Sequence, residues 1–220
     1  STVTLRPFLL LGASAGEDWN NAYAYNGSSP LLTGTGMLGG GGRWLVWPVS
    51  GGSPIYSTDA TGSAWTTSAA TFTSSSKTPY GCYEAVSGAF LIPYNNGIWR
   101  TVDYGVTLTS VTTIPAGAVD ASPTLAMSAS LYELSVATSP TPFTTWTLQP
   151  NPHGITMSTT GIVRYGGERF LIGGDDGTGG SHQPKITFTA DGTTFSAETL
   201  PTMIANSSIH CAAYSEPLDT

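Results

Sequence analysis

Fourteen acidic residues, three histidines and two cysteines are the side chains of this 220-residue chain best suited to acid–base, metal or nucleophilic chemistry. Their spacing supports little of it. His153, His182 and His210 form no His-x-x-x-His pair, so no zinc-type ligand set is present. Asp175-Asp176-Gly177 offers carboxylates of the kind calcium takes, yet it lacks the alternating ligands of a calcium loop, and Asp-Gly is also an ordinary turn. No metal and no cofactor is therefore assigned. The chain has no His-Glu-x-x-His and no phosphate loop.

Charge narrows the partners. The formal net charge is −7, and the seven Lys and Arg residues are scattered. A phosphate backbone needs several clustered cations to displace its counterions, so nucleic acid is not an expected partner. The same lack argues against a polybasic membrane site. No apolar run nears the ~18 residues that suggest a membrane helix, and Phe8-Leu9-Leu10-Leu11 is only strand length. The N-terminus shows no basic region followed by an apolar stretch, so no signal peptide is expected, and Ser1 would follow from removal of an initiator Met or from trimming. Charged residues make up 10% of the chain, well below the usual quarter, but aromatics also reach 10%. Disordered chains lack aromatics and β-branched residues. The mixture fits short strands joined by tight turns.

Such strands recur. Gly42-Arg43-Trp44-Leu45-Val46-Trp47 is matched by Gly88-Ala89-Phe90-Leu91-Ile92-Pro93 and by Glu168-Arg169-Phe170-Leu171-Ile172-Gly173. Ser130-Leu131-Tyr132-Glu133-Leu134 is a weaker copy, and Arg6-Pro7-Phe8-Leu9-Leu10-Leu11 is a fifth. Each is an apolar run of strand length bounded by Gly, Pro or Ser. A second element follows each run. It is fullest in Ser57-Thr58-Asp59-Ala60-Thr61-Gly62-Ser63-Ala64-Trp65. It returns in Thr101-Val102-Asp103-Tyr104-Gly105 and in Thr189-Ala190-Asp191-Gly192-Thr193-Thr194-Phe195. Asp59 and Asp103 lie 44 residues apart, Asp103 and Asp191 twice that. Phe143-Thr144-Thr145-Trp146 keeps the aromatic and loses the acid, and Tyr25-Asn26-Gly27-Ser28-Ser29 is a degenerate first copy. Five such periods fill the chain.

The pattern Ser/Thr-x-Asp-x-Gly-x-Thr-Trp/Phe resembles the Asp-box of sialidase-type and related β-propeller repeats. The resemblance implies a turn joining the third and fourth strands of a blade. In such a turn the carboxylate accepts backbone N–H groups, Gly takes positive φ and the aromatic packs between blades. Asp59, Gly62, Trp65, Asp103, Gly105, Asp191, Gly192 and Phe195 are then structural, and Asp59, Asp103 and Asp191 are not catalytic.

Each repeat reads as four strands. In the last they are Gly161 to Tyr165, Arg169 to Gly173, Lys185 to Thr189 and Thr194 to Thr199. The first strand is innermost, which places Cys82 and Cys211 on inner strands of different blades, against a disulfide. His210 falls on an inner strand too. Ser208 to Tyr214 reads as a first strand without a second, and Arg6 to Leu11 as a second without a first. The expectation is an all-β, single-domain, five-bladed β-propeller whose N- and C-terminal segments pair in one blade. The blades are 208–220 with 1–34, 35–75, 80–115, 121–150 and 160–201. A β-sandwich or jelly roll is the alternative, but it explains neither the period nor the complementary ends.

In such a meander the Asp-box turns occupy one face and the longer, more variable loops the other. The loop face holds Trp19 and Asn20, then Tyr80, Asn95 and Asn96, then Asp120 and His153 between blades, and Asp175, Asp176 and His182 in the last blade. Flat sugar faces stack on aromatics while hydroxyls pair with Asn, Asp and backbone groups. The same residue types also dominate turns that hold nothing.

An enzyme is not expected. Sialidases use an arginine cluster, a Tyr nucleophile and acids on six blades. Here Arg6, Arg43, Arg100, Arg164 and Arg169 fall at repeat positions. Five-bladed glycosidases place two carboxylates at the channel, whereas Glu84 is the one clear acid on an inner strand. The composition resembles bacteriophage virion modules of tails and capsid surfaces, which implies other virion proteins or host surface glycans as partners. A homo-oligomer or attachment to a larger assembly would fit. A free five-bladed lectin, secreted or cytoplasmic, is the alternative, although the loops differ between blades where repeated sites need repeated ligands.

Overall fold

The computed structural model describes residues 35–48, 52–60, 64–72, 81–94, 97–112, 117–129, 136–140, 142–149, 162–175 and 183–198. They form four antiparallel sheets of four strands each, every sheet a simple meander in chain order. The first holds β1 (Thr35–Gly40), β2 (Arg43–Pro48), β3 (Ile55–Ser57) and β4 (Thr66–Thr67). The second holds β5 (Cys82–Glu84), β6 (Ala89–Tyr94), β7 (Gly97–Thr101) and β8 (Thr109–Thr112). The third holds β9 (Ala118–Ala121), β10 (Leu125–Ala129), β11 (Val136–Pro140) and β12 (Thr147–Gln149). The fourth holds β13 (Ile162–Gly166), β14 (Arg169–Asp175), β15 (Pro184–Thr189) and β16 (Ser196–Glu198).

Three of the second strands, β2, β6 and β14, are the apolar repeats, and most of their residues are buried because each sheet is covered on its faces. All six residues of β6 are buried. Successive sheets then share cores. Leu45 and Trp47 of the first pack with Phe90, Ile92, Tyr94 and Trp99 of the second. Cys82, Leu91 and Ile98 of the second pack with Val119 and Ala126 of the third. Ala118 and Met127 of the third pack with Val163, Phe170 and Ile172 of the fourth. The first strands lie side by side, β1 on β5, β5 on β9 and β9 on β13, so they form the inner edge of the stack.

Two strands differ from the sequence reading. The second strand of the third sheet is β10, Leu125–Ala129, and the run 130–134 expected there lies at the border of and outside the described residues. Ala and Ser hold three of the five positions of β10, so it lacks the continuous bulky apolar run of its counterparts. Asp120 was expected in a connection between blades, but it stands within β9. The fifth sheet and the pairing of the chain ends involve 1–34 and 199–220, outside the described residues.

Candidate functional site

The acids of the repeat turns are the most regularly spaced carboxylates in the chain. Asp59, Asp103 and Asp191 each sit between the third and fourth strands of a sheet. The Asp103 Oδ1 accepts the Thr107 N–H at 2.8 Å and the Thr101 hydroxyl at 2.8 Å. The Asp191 Oδ1 accepts the N–H groups of Thr193 at 2.8 Å and Thr194 at 2.7 Å, and the Thr189 hydroxyl at 3.2 Å. In the first sheet, the Asp59 N–H donates to the Ser57 hydroxyl at 3.2 Å, and Trp65 packs beside Val46 and Ile55. Gly62 lies outside the described residues.

These turns also join the sheets. Gly105 and Gly192 both have positive φ and press on the preceding sheet, Gly105 against Pro54 and Leu45, Gly192 against Thr138 and Leu125. The Ser68 hydroxyl of the first sheet donates to the Gly105 carbonyl of the second. The Arg100 Nε of the second donates to the Pro142 carbonyl of the third at 2.7 Å.

Bonds from Thr194 and Thr193 hold the Asp191 carboxyl far below its ordinary range. For Asp103, burial pushes upward but the bonds from Thr107 and Thr101 outweigh it, and the carboxyl is lowered. A carboxyl depressed by folding adds stability that is complete above the unfolded value, near ~4, and is lost as pH falls toward the folded value. Wild-type stability should therefore fall below about pH 4. Asp191→Asn should reduce that fall in urea titrations taken at successive pH values. An unchanged acid limb would mean that the turn does not bind the ionised form preferentially.

The inner edge carries two acids. Glu84 ends β5 and is 3% exposed. Its Oε1 accepts the Val86 N–H at 2.7 Å, and its Oε2 accepts the Ser87 N–H at 2.7 Å and the Ser87 hydroxyl at 2.6 Å. Burial raises its carboxyl, but the Ser87 and Val86 bonds outweigh this, and it is lowered. Both oxygens thus bind the β5–β6 turn.

Asp120 is the second, and its position on an inner strand was missed in the sequence. Its Oδ1 accepts the Ala121 N–H at 2.9 Å, and its Oδ2 accepts the Tyr165 N–H of β13 at 2.9 Å. The carboxylate therefore ties the third sheet to the fourth. The buried Cys82 thiol of the second sheet bonds to Asp120 as well, so three sheets meet at one acid. Burial raises the Asp120 carboxyl despite the bonds from Tyr165 and Ala121 and the charge of Arg164. Burial, reinforced by Asp120, pushes the Cys82 thiol well up, and a thiol without thiolate character is a poor nucleophile.

A carboxyl raised by folding adds stability that is complete below the unfolded value and is lost as pH climbs through the folded value. Stability should accordingly decline from about pH 4 upward in the wild type. Asp120→Asn should flatten this limb, since the amide does not ionise. An equal decline in both proteins would show that Asp120 ionises as freely folded as unfolded.

The loop-face residues distribute unevenly. Asp175 is the last residue of β14 and 1% exposed, so it stands inside the sheet rather than on an open loop. Asp120 and Asp175 belong to different sheets. Trp19, Asn20, Tyr80, Asn95, Asn96, His153, Asp176 and His182 lie outside the described residues. Among the described residues, no group of three His, Cys, Asp or Glu side chains could hold a metal ion. At the loop end of the seam between the first two sheets, Trp99 packs edge-on to Phe72 at 5.6 Å and against Tyr94 at 5.0 Å. Those rings are buried.

No protein-family model matches the chain, and no curated protein matches it. Solved structures do. A GH74 enzyme from Niastella koreensis is similar with a TM-score of 0.50 at 15% identity, over 70% of this chain and 22% of that one. YCF48, in a structure described as bound to D1 peptide, is similar with a TM-score of 0.51 at 14% identity, over 74% of this chain and 54% of that one. The chain thus spans less than two thirds of either. Both are β-propeller-like proteins, and the likeness establishes an all-β, propeller-type fold of four-stranded antiparallel sheets. At these identities it extends to the fold alone.

Proposed function

We propose that this chain is a non-catalytic binding or structural module, a bacteriophage virion protein of a tail or capsid appendage whose loop face takes host surface glycans. One observation carries the non-catalytic part. Glu84 and Asp120, the acids on the inner strands of the described sheets, both spend their oxygens on amides of their own fold. A glycosidase needs one carboxyl to give a proton to substrate and another to attack or to activate water. Acids held this way are positioned for structure.

The finer architecture belongs to the same proposal. Turns built on Asp103 and Asp191 support kinship with Asp-box propellers, and the 44-residue period supports five blades closed by the two ends of the chain. A hydrolase is the second reading, favoured by the GH74 neighbour.

The test is a glycan array that includes bacterial surface polysaccharides, probed with the purified chain. Specific binding is expected, and Trp19→Ala or Tyr80→Ala should remove it without altering thermal unfolding. Binding that survives both substitutions would move the site off these loops. No binding to any glycan would end the receptor-binding reading and leave a particle-decorating role.

A further inference from the structure

A repeat turn rests on the third strand of the preceding sheet at each of three successive seams. At the first, the Tyr104 ring of the second sheet stacks 5.9 Å from Tyr56 of β3, and Gly105 abuts Pro54 just before that strand. At the second, Phe143 of the third sheet shares a core with Ile98 of β7, and the Pro142 carbonyl accepts the Arg100 Nε–H of β7 at 2.7 Å. At the third, Gly192 of the fourth sheet abuts Thr138 of β11. A residue of positive φ makes the approach each time, 64° at Tyr104, 64° at Phe143 and 73° at Gly192.

The third strand of the fourth sheet, β15, carries the matching surface. Phe188 pairs with Leu171 as Tyr56 pairs with Leu45, and Arg169 opens β14 as Arg43 opens β2. At the first seam those two positions receive Tyr104, with the Arg43 guanidinium 4.2 Å from its ring centroid. In the fourth sheet the Arg169 guanidinium lies 4.2 Å from the centroid of Phe188. The two residues line a cleft of about 290 Å³ together with Thr189 and Ala190. That volume falls just below the ~300–1,000 Å³ of most small-molecule sites and suits an inserted side chain.

We propose that this cleft is the socket for the repeat turn of a further blade, the segment Tyr25-Asn26-Gly27-Ser28-Ser29 of the same chain, with the Tyr25 ring set against Phe188. The proposal rests on the reading above of a fifth blade built from the two ends of the chain. Asn26-Gly27 supplies the positive φ that each of the three turns uses, since Gly and Asn visit the left-handed region most readily. Tyr25 is the one aromatic of the segment. A ring beside Phe188 and the Arg169 guanidinium gains aromatic and cation–π contact together. The fourth seam is then built by the rule that builds the first three.

Photo-cross-linking of the full chain, with p-benzoylphenylalanine in place of Phe188, tests this. Mass spectrometry should place the label in 25–29 at the mass of one chain. The same probe in place of Tyr56 is the control and should label 102–106. A Phe188 label in 199–220 would overturn the socket assignment while keeping the chain ends at this edge. A label in neither end segment, with the control intact, would overturn the socket and the fifth blade together. A product of doubled mass would overturn the proposal by showing a second copy in the cleft. A double-mutant cycle in urea avoids the bulky probe. Tyr25→Ala and Phe188→Ala together should lose less stability than the sum of the single losses, and strictly additive losses would overturn the contact. The glycan array bears on the loop face alone, so its outcome leaves these labels unchanged.

Discussion

Replacing Phe143 by alanine is expected to lower the free energy of unfolding by about 3–5 kcal/mol, the usual cost of removing a buried phenyl ring. Phe143 lies between β11 and β12, in the repeat turn that has lost its Asp, and is 0% exposed. Its backbone takes a φ of 64°, a conformation that bulky residues rarely adopt. The ring packs into the core shared by the second and third sheets, with Cys82, Leu91, Ile98, Val119 and Ala126. Tyr104 does the same one sheet earlier, with a φ of 64° and its ring stacked 5.9 Å from Tyr56 of the preceding sheet. Alanine would keep the backbone strain and lose the packing that offsets it. Marginal domains hold only about 5–15 kcal/mol, so the variant should unfold at much lower urea. A loss under about 1 kcal/mol would mean that this turn does not bind the two sheets together.

Gly192→Ala should cost about 2–5 kcal/mol, and the informative comparison is with Gly88→Ala. Both glycines have positive φ, 73° and 66°. A Cβ at either pays about 1–2 kcal/mol for the left-handed conformation. At Gly88 nothing lies within 4 Å, and the cost stops there. At Gly192 the new carbon would stand 2.7 Å from Thr138 Cγ2 and 3.2 Å from Leu125 Cδ2, side chains of the third sheet. Overpacking of this kind adds about 1–3 kcal/mol. Equal losses in the two variants would show that the fourth sheet's turn is free of its neighbour.

Much of this architecture is legible in the sequence. The strands expected in the last repeat fall within two residues of the observed starts of β13, β14, β15 and β16, because apolar runs and turn residues alternate plainly there. The hydrogen bonds of Asp103 and Asp191 follow from the local Thr-x-Asp sequence, which carries its own partners. What escaped depends on long-range packing. Asp120 looked like a loop residue because acids are rare in buried strands. Its two backbone partners, one 45 residues away, make the position tolerable. β10 escaped because Ala and Ser hold three of its five positions, so it lacks the run of bulky apolar residues that marks β2, β6 and β14. The positive φ of Phe143 is invisible in sequence, since only the pocket in the second sheet justifies it. Arg43 and Arg169 look equivalent in sequence, and only their stacking partners, a ring of the next sheet for Arg43 and a ring of its own sheet for Arg169, separate them.

The central claim is that the inner-edge acids serve the fold and that the chain binds without cutting. The most direct measurement is to incubate the purified chain with the polysaccharide it binds best and to follow polymer mass and reducing ends over a day. The expected result is polysaccharide recovered at its original length, with Glu84→Gln and Asp120→Asn altering stability but not binding. Shortened polysaccharide, with cleavage abolished by Glu84→Gln or Asp120→Asn, would contradict the account and establish a hydrolase.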